Sequence, residues 1–298
     1  MSSTVDLTQL PEVEPGLGAS APVHPAPVLV IQPSGQWPRI DWREIWAYRG
    51  LFFFLVWRDV KVRYAQTVLG AGWAILQPVL TMVVFSVIFG RFAQIPSDGV
   101  PYPLFSLAAL VPWTYFSSAL SGAGSSLVAN TNLLTKIYFP RLIIPAAPVL
   151  AGLVDFGIGF VILLVVMVGY GVMPNVAAVA VLPLLIFGMM LTSLGVGSWL
   201  AALNIQYRDV KHVTPFLLQV WMYASPIVYP MSAVPARYHT LYALNPMAGV
   251  IEGFRAVLLG TRSVPWSIIG LSLFVGVCFF VTGALYFRHM ERAFADVA

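Results

Sequence analysis

The sequence predicts an all-α integral membrane protein. It would have six transmembrane helices, an N-terminal interfacial amphipathic helix, and short re-entrant helices between spans five and six. Three observations carry that prediction. Of 298 residues, 59% are hydrophobic and only 9% charged, with a mean hydropathy of +0.83. A soluble domain carries about 25% charged residues, so this chain cannot cover itself with a water-facing surface. Apolar runs long enough to cross a bilayer recur along the chain, and the basic residues cluster at alternate ends of those runs.

In chain order, residues 1–38 are polar and proline-rich, with acidic residues early and no apolar run typical of a secretory signal. They read as a disordered cytoplasmic tail, and 39–298 as the membrane domain. Residues 41–66, "DWREIWAYRGLFFFLVWRDVKVRYAQ", mix aromatic and basic side chains. That stretch is too charged to cross and too apolar to leave the surface, as in an interfacial helix with rings at the acyl boundary. A span needs roughly 20 apolar residues for a ~30 Å hydrocarbon core. Residues 71–91, 103–127, 143–170, 176–203, 212–230 and 265–287 meet that length, the fifth interrupted by Pro215, Pro226 and Pro230. Residues 226–264 are broken by four prolines and are too apolar for a free loop, which predicts short helices dipping back from the outer side.

Six spans place both termini on one side. With the N-terminus inside, 12 of the 16 basic residues lie on inner segments, leaving only Arg91, Arg237, Arg255 and Arg262 outside. This asymmetry predicts cytoplasmic N- and C-termini. It also explains a pI near 9.3 without invoking nucleic acid, because the basic residues flank apolar runs and form no single patch. The tetrapeptide Arg-Asp-Val-Lys occurs at 58–61 and 208–211 with unrelated flanks. Four spans separate the copies, so both return to the cytoplasmic boundary, which they mark.

The chain carries no reactive constellation. No G-x-x-x-x-G-K-[ST] phosphate loop is present. The four histidines are scattered without metal-ligand spacing, and the single cysteine, Cys278, allows no internal disulfide. Asp155 stands within the third span, where an unpaired charge costs several kcal/mol. It faces a cavity or bonds a neighbouring helix. Aromatic residues crowd the outer halves of the spans, among them Phe105, Trp113, Tyr115, Phe116, Trp221, Tyr223 and Tyr229. They read either as core and interfacial belt or as rings lining a sugar path.

Several stretches together resemble the membrane subunits of ABC-2-type polysaccharide exporters: "RDVKVRYAQTVLGAGWAILQPVL" (58–80), "LVPWTYFSSAL" (110–120), "NLLTKIYFPRLIIP" (132–145), "LNIQYRDVKHV" (203–213), "SPIVYP" (225–230) and "LNPM" (244–247). The likeness covers about residues 41–290. It implies a homodimer in the bacterial cytoplasmic membrane, bound to two copies of a separate ABC ATPase that holds ATP and magnesium. No cofactor would sit on this chain. The substrate implied is an undecaprenyl-linked glycan of O-antigen type. The resemblance makes 41–66 the interfacial helix, with Arg58, Lys61 and Arg63 toward lipid head groups or the lipid diphosphate. It makes 130–141 the ATPase-coupling helix, with Lys136, Tyr138, Phe139 and Arg141 as contacts. It makes 231–264 the outer gate, with Asn245, Glu252 and Arg255 inside it and Tyr229 just before it. Trp73, Trp113, Tyr115, Phe116, Trp221, Tyr223 and Asp155 become candidates for the channel wall. An exporter of small hydrophobic compounds or lipids is the neighbouring alternative. A membrane-embedded glycan-modifying enzyme is the alternative of another class, and it lacks the acid or histidine cluster it needs.

Overall fold

The computed structural model describes residues 42–65, 72–136, 138–174, 180–207, 209–260 and 263–291. The expected tail at 1–38 lies outside them, as do Arg208 and Arg262. Among the described residues the chain is helical, with no strand. The helices are α1 (Trp42–Ala47), α2 (Arg49–Tyr64), α3 (Gly72–Phe85), α4 (Tyr102–Ala129), α5 (Thr131–Lys136) and α6 (Ile143–Gly169). They continue with α7 (Leu182–Gln206), α8 (Val210–Tyr223), α9 (His239–Ala243), α10 (Pro246–Leu259) and α11 (Trp266–Met290). A π-helical stretch, Ser86–Phe92, prolongs α3.

Among the described residues, five helices are long and apolar enough to cross a membrane: α3 with its π-helical extension, then α4, α6, α7 and α11. They coincide with five of the six expected spans to within three residues at each end, except that α7 begins at Leu182 where 176 is expected. The remaining one, expected at 212–230, is the 14-residue α8, which ends at Tyr223. At 1.5 Å per residue it is about 21 Å long, short of the hydrocarbon thickness. Pro226 and Pro230 stop the helix from continuing, since each removes a backbone donor.

The core is built around α4, which packs on α6, α7 and α10. Its Leu104, Leu107, Phe116, Leu120 and Leu127 are fully buried or nearly so. By contrast no residue of α3 is fully buried: Met82 and Phe85 pack half-buried against the core, while Ile75, Leu80, Val83 and Val84 are exposed. Helices α7 and α11 approach backbone to backbone. A Cβ added at Gly195 would lie 2.5 Å from the Phe279 carbonyl, and one at Gly283 would lie 2.1 Å from the Gly195 oxygen. Such contact through small residues is how helices associate where lipid offers no hydrophobic drive.

The segment expected to lie at the outer gate is organised by buried polar groups. Every residue of α10 is buried, and the helix is enclosed by α4, α7 and α11. Asn245 caps its start by accepting from the Met247 N–H at 3.0 Å, and Pro246 follows at the first helical position, where its missing N–H is harmless. Gly260 ends the helix at φ +64°, a conformation glycine adopts without Cβ strain. The Asn245 amide also donates to the Ala224 carbonyl and the Ser225 hydroxyl, and its oxygen accepts from Trp221 Nε1 at 2.8 Å. One side chain thus joins the end of α8 to the start of α10.

Candidate translocation cavity

A cavity of about 560 Å³ opens between α2, α3, α4, α6 and α8. Its walls carry three kinds of chemistry. Helix α4 presents Thr114, Ser117, Ser118 and Ser121, which recur at three- and four-residue spacing and so share one face. Ser117 donates to the Thr114 carbonyl at 3.1 Å, and Thr114 donates to that of Leu110. With their protons committed to their own helix, the Thr114 and Ser117 hydroxyls offer lone pairs to the cavity. Trp73, Tyr115 and Phe156 supply aromatic surface. Arg63, Tyr64 and Asp155 form a charged corner.

That corner depends on how α2 lies. Leu55 packs with Ile143 and Ala147 near the start of α6, and eight residues further along both helices Arg63 meets Asp155. Eight helical residues are about 12 Å, so α2 climbs alongside α6 in the same direction over this length. The Arg63 guanidinium and the Tyr64 hydroxyl both donate to the Asp155 carboxylate. Burial, and then its hydrogen bond to Asp155, push the Tyr64 hydroxyl up to about 12. It remains a protonated donor at physiological pH. The Arg63 and Asp155 side chains are 30% and 31% exposed, so a solute in the cavity can reach the pair.

Prolines shape the same walls. Pro78 and Pro215 line the large cavity from within α3 and α8, and Pro148 lines a second one from within α6. Each proline cannot bond the carbonyl four residues back, and Ala74, four before Pro78, also faces the large cavity. The second cavity, about 450 Å³, continues along α4 past Gly122 and Ser125 to Asn130. Arg63 lines both. Arg58 lines the second, where its guanidinium donates to Asp59 at 2.8 Å and to Asn130 Oδ1 at 2.8 Å. Lys61 is exposed and lies 5.6 Å from the centroid of the Trp57 ring.

The structure sorts the expected channel aromatics. Trp73 is half exposed; Tyr115 borders the cavity but is only 3% exposed, its hydroxyl donating to the Val149 carbonyl at 3.0 Å. Trp113 and Phe116 do not border this cavity; they are 5% and 0% exposed and pack on each other within the core. Phe116 also meets Trp221 edge-on at 5.0 Å. Trp221 borders an apolar cavity of about 790 Å³ between α4, α7, α8 and α9, and Tyr223 is exposed. The reason is periodicity: aromatic residues on a protein-facing and a cavity-facing side of α4 look alike in one dimension.

The coupling contacts are also redistributed. Helix α5 covers Thr131–Lys136, and Tyr138, Phe139 and Pro140 are not helical. Tyr138 is 74% exposed and Lys136 is exposed, but Phe139 is 3% exposed and packs with Leu127, Leu142, Ile144 and Phe287. Phe139 therefore cannot anchor a partner directly. Arg141 is drawn to Glu291 at the end of α11, donating to its backbone carbonyl.

At the outer segment, Glu252 and Arg255 form a buried pair at 3.1 Å. Arg255 donates to the Pro226 carbonyl at 2.6 Å and the Ile227 carbonyl at 2.8 Å, and its guanidinium lies 3.6 Å from the centroid of the Phe105 ring. Tyr229 bonds the Tyr242 hydroxyl and donates to the Tyr223 carbonyl. These residues brace the "SPIVYP" loop. Sequence reasoning passed over Tyr64, Gln77 and the α4 hydroxyls. The hydroxyl spacing in "TYFSSALSGAGSS" was the available signal.

The family model for the ABC-2 type transporter matches residues 50–259, which contain the side chains lining the three cavities. The chain belongs to the ABC-2 type transporter family. Among the relatives of this ABC-2 chain, the O-antigen export system permease protein RfbA of Myxococcus xanthus is 32% identical over 223 residues, 74% of this chain and 84% of that protein. An RfbA of Klebsiella pneumoniae is 27% identical over 242 residues, covering 80% and 92%. The polysialic acid transport protein KpsM of Escherichia coli is 27% identical over 238 residues, covering 79% and 92%. As an ABC-2 family member the chain is a multi-pass membrane protein and a transport subunit that works with an ABC ATPase.

Proposed function

We propose that this chain is the permease subunit of an ATP-driven exporter that moves lipid-linked polysaccharide across the bacterial cytoplasmic membrane. The observation that carries the reading is the cavity wall: acceptor hydroxyls on α4, aromatic residues Trp73, Tyr115 and Phe156, and the Arg63 guanidinium where α2 meets α6. Sugars bring hydroxyl donors and apolar C–H faces, which suit such a lining, and a lipid diphosphate brings the anion that Arg58 and Arg63 would take. The names of the relatives point the same way.

In this reading two copies of the chain form the path and two ATPase subunits drive it, holding ATP and magnesium themselves. Both termini are cytoplasmic. Helix α8 with the braced loop 224–230 makes the sixth crossing, and α9 and α10 dip back from the outer side as gate helices. Helices α1 and α2 form the entry helix at the cytoplasmic boundary. The glycan is undecaprenyl-linked and enters beside α2, while α5 with Tyr138 and Lys136 meets the ATPase. The permease does no bond chemistry; it supplies path, gates and coupling.

Deleting the gene tests this. Surface polymer is lost and lipid-linked polymer accumulates in the cytoplasm if the reading holds. Unchanged surface polymer together with new sensitivity to hydrophobic compounds would instead favour export of small apolar molecules, for which the apolar cavity bordered by Trp221 is the suited site.

A further inference from the structure

Asp155 is the only acidic residue between Asp98 and Asp209. It sits on a helix whose other residues are apolar or uncharged, and two donors from the last turn of α2 converge on it. Its principal partner, Arg63, faces two cavities, while Asp155 lines only the larger. Arg58, the other guanidinium on these walls, is likewise matched to an aspartate, Asp59. Both arginines are thus neutralised from within, although each remains partly exposed to a cavity wide enough for a solute. Such an arrangement stores an anion site without leaving a bare cation in an apolar setting.

We propose that Asp155 is an internal stand-in for a phosphoanion at Arg63. It holds the guanidinium until the diphosphate of a lipid-linked substrate displaces it. The proposal rests on the export reading and names the step by which that cavity admits its ligand. A diphosphate ester carries more negative charge than a carboxylate and can take both edges of a guanidinium, so it outcompetes Asp155 once it reaches the pair. The exchange removes one of the two ties between the last turn of α2 and α6 and leaves that of Tyr64. Asp155 acts here as a positioning residue: it sets how strongly Arg63 answers an anion and how firmly α2 is held.

The test uses the full-length chain in nanodiscs of zwitterionic lipid, with farnesyl diphosphate as the probe. Asp155→Asn is expected to bind it about tenfold tighter than wild type, the gain when a competent state populated at roughly a tenth becomes dominant. Arg63→Gln, alone or combined with Asp155→Asn, loses binding by more than that factor. A purely structural ion pair gives the opposite sign, since breaking it would loosen the site and weaken binding. Equal or weaker binding by Asp155→Asn overturns the proposal. Inorganic diphosphate and phosphatidylglycerol nanodiscs form separate arms. A gain confined to either one overturns the assignment to a lipid-borne diphosphate.

Should Asp155→Asn fail to fold, spin labels at the exposed Val62 of α2 and Val161 of α6, in a Cys278→Ser background, give an independent reading. Farnesyl diphosphate broadens their distance distribution in otherwise wild-type protein if the exchange occurs, and an unchanged distribution refutes it. Loss of surface polymer on gene deletion, combined with unaltered affinity in Asp155→Asn, defeats this inference alone. Unchanged surface polymer defeats the export reading whatever Asp155 does.

Discussion

Arg255 shows how much one side chain can decide in an apolar bundle. It is 4% exposed, bonds Glu252 and two loop carbonyls, and lies over the Phe105 ring. Arg255→Ala strands the Glu252 carboxylate and those carbonyls, and should cost about 3–5 kcal/mol, read as a lowered unfolding midpoint in detergent. Arg255→Lys should recover only part of it, because a lysine ammonium cannot take two separated carbonyls and the ring face together. Phe139 and Tyr138 make a contrasting neighbour pair. Phe139→Ala opens a buried site and should lose about 3–5 kcal/mol of stability. Tyr138→Ala, at a residue 74% exposed, should leave the melting point near wild type while reducing co-purification with the ATPase. Full ATPase recovery in Tyr138→Ala would remove that residue from the docking surface. In both examples the type of residue was visible in the sequence and its direction was not. A Phe and a Tyr side by side before Pro140 carry no one-dimensional mark of which turns inward.

Among the elements, α7 and α11 depend most on what is missing from their side chains. Gly188, Gly195, Gly276 and Gly283 let the two backbones touch, and any Cβ at Gly195 or Gly283 meets main chain that cannot give way. Gly283→Leu should therefore abolish the folded fraction recovered from membranes, judged by size-exclusion profile. The same change at Gly270, with nothing within 4 Å of an added Cβ, should be tolerated. Spans of this kind were legible to within a few residues because bilayer thickness fixes their length. The exception is instructive. Helix α8 looked long enough when 212–230 was counted as one apolar run, yet Pro226 and the Asn245 contacts turn the chain after Tyr223. Helix α2, whose aromatic and basic mixture suggests an interfacial helix, packs along α6 because Leu55 and Arg63 each find partners there.

For the whole molecule, the proposed six-crossing arrangement has direct consequences. A periplasm-dependent alkaline phosphatase fused after Asp98 should be active and one fused at the C-terminus inactive; the reverse pattern would invert the topology. Cys278 is exposed on α11, about 18 Å along from Trp266. In the bilayer it should resist a membrane-impermeant maleimide until the membrane is dissolved. By itself the sequence determined the class, five of the membrane-length helices, the lone acid on α6 and the family likeness. These follow from composition and run length, which the cost of burying polar groups in hydrocarbon imposes on any such chain. Only the tertiary structure decided that Arg63 and Tyr64 meet Asp155, that Trp113 and Phe116 belong to the core, and that Phe139 faces inward. The physical reason is that lipid and protein interior are both apolar. A membrane helix therefore shows no hydrophobic contrast between the face it packs and the face it leaves bare, and only the folded contacts tell them apart.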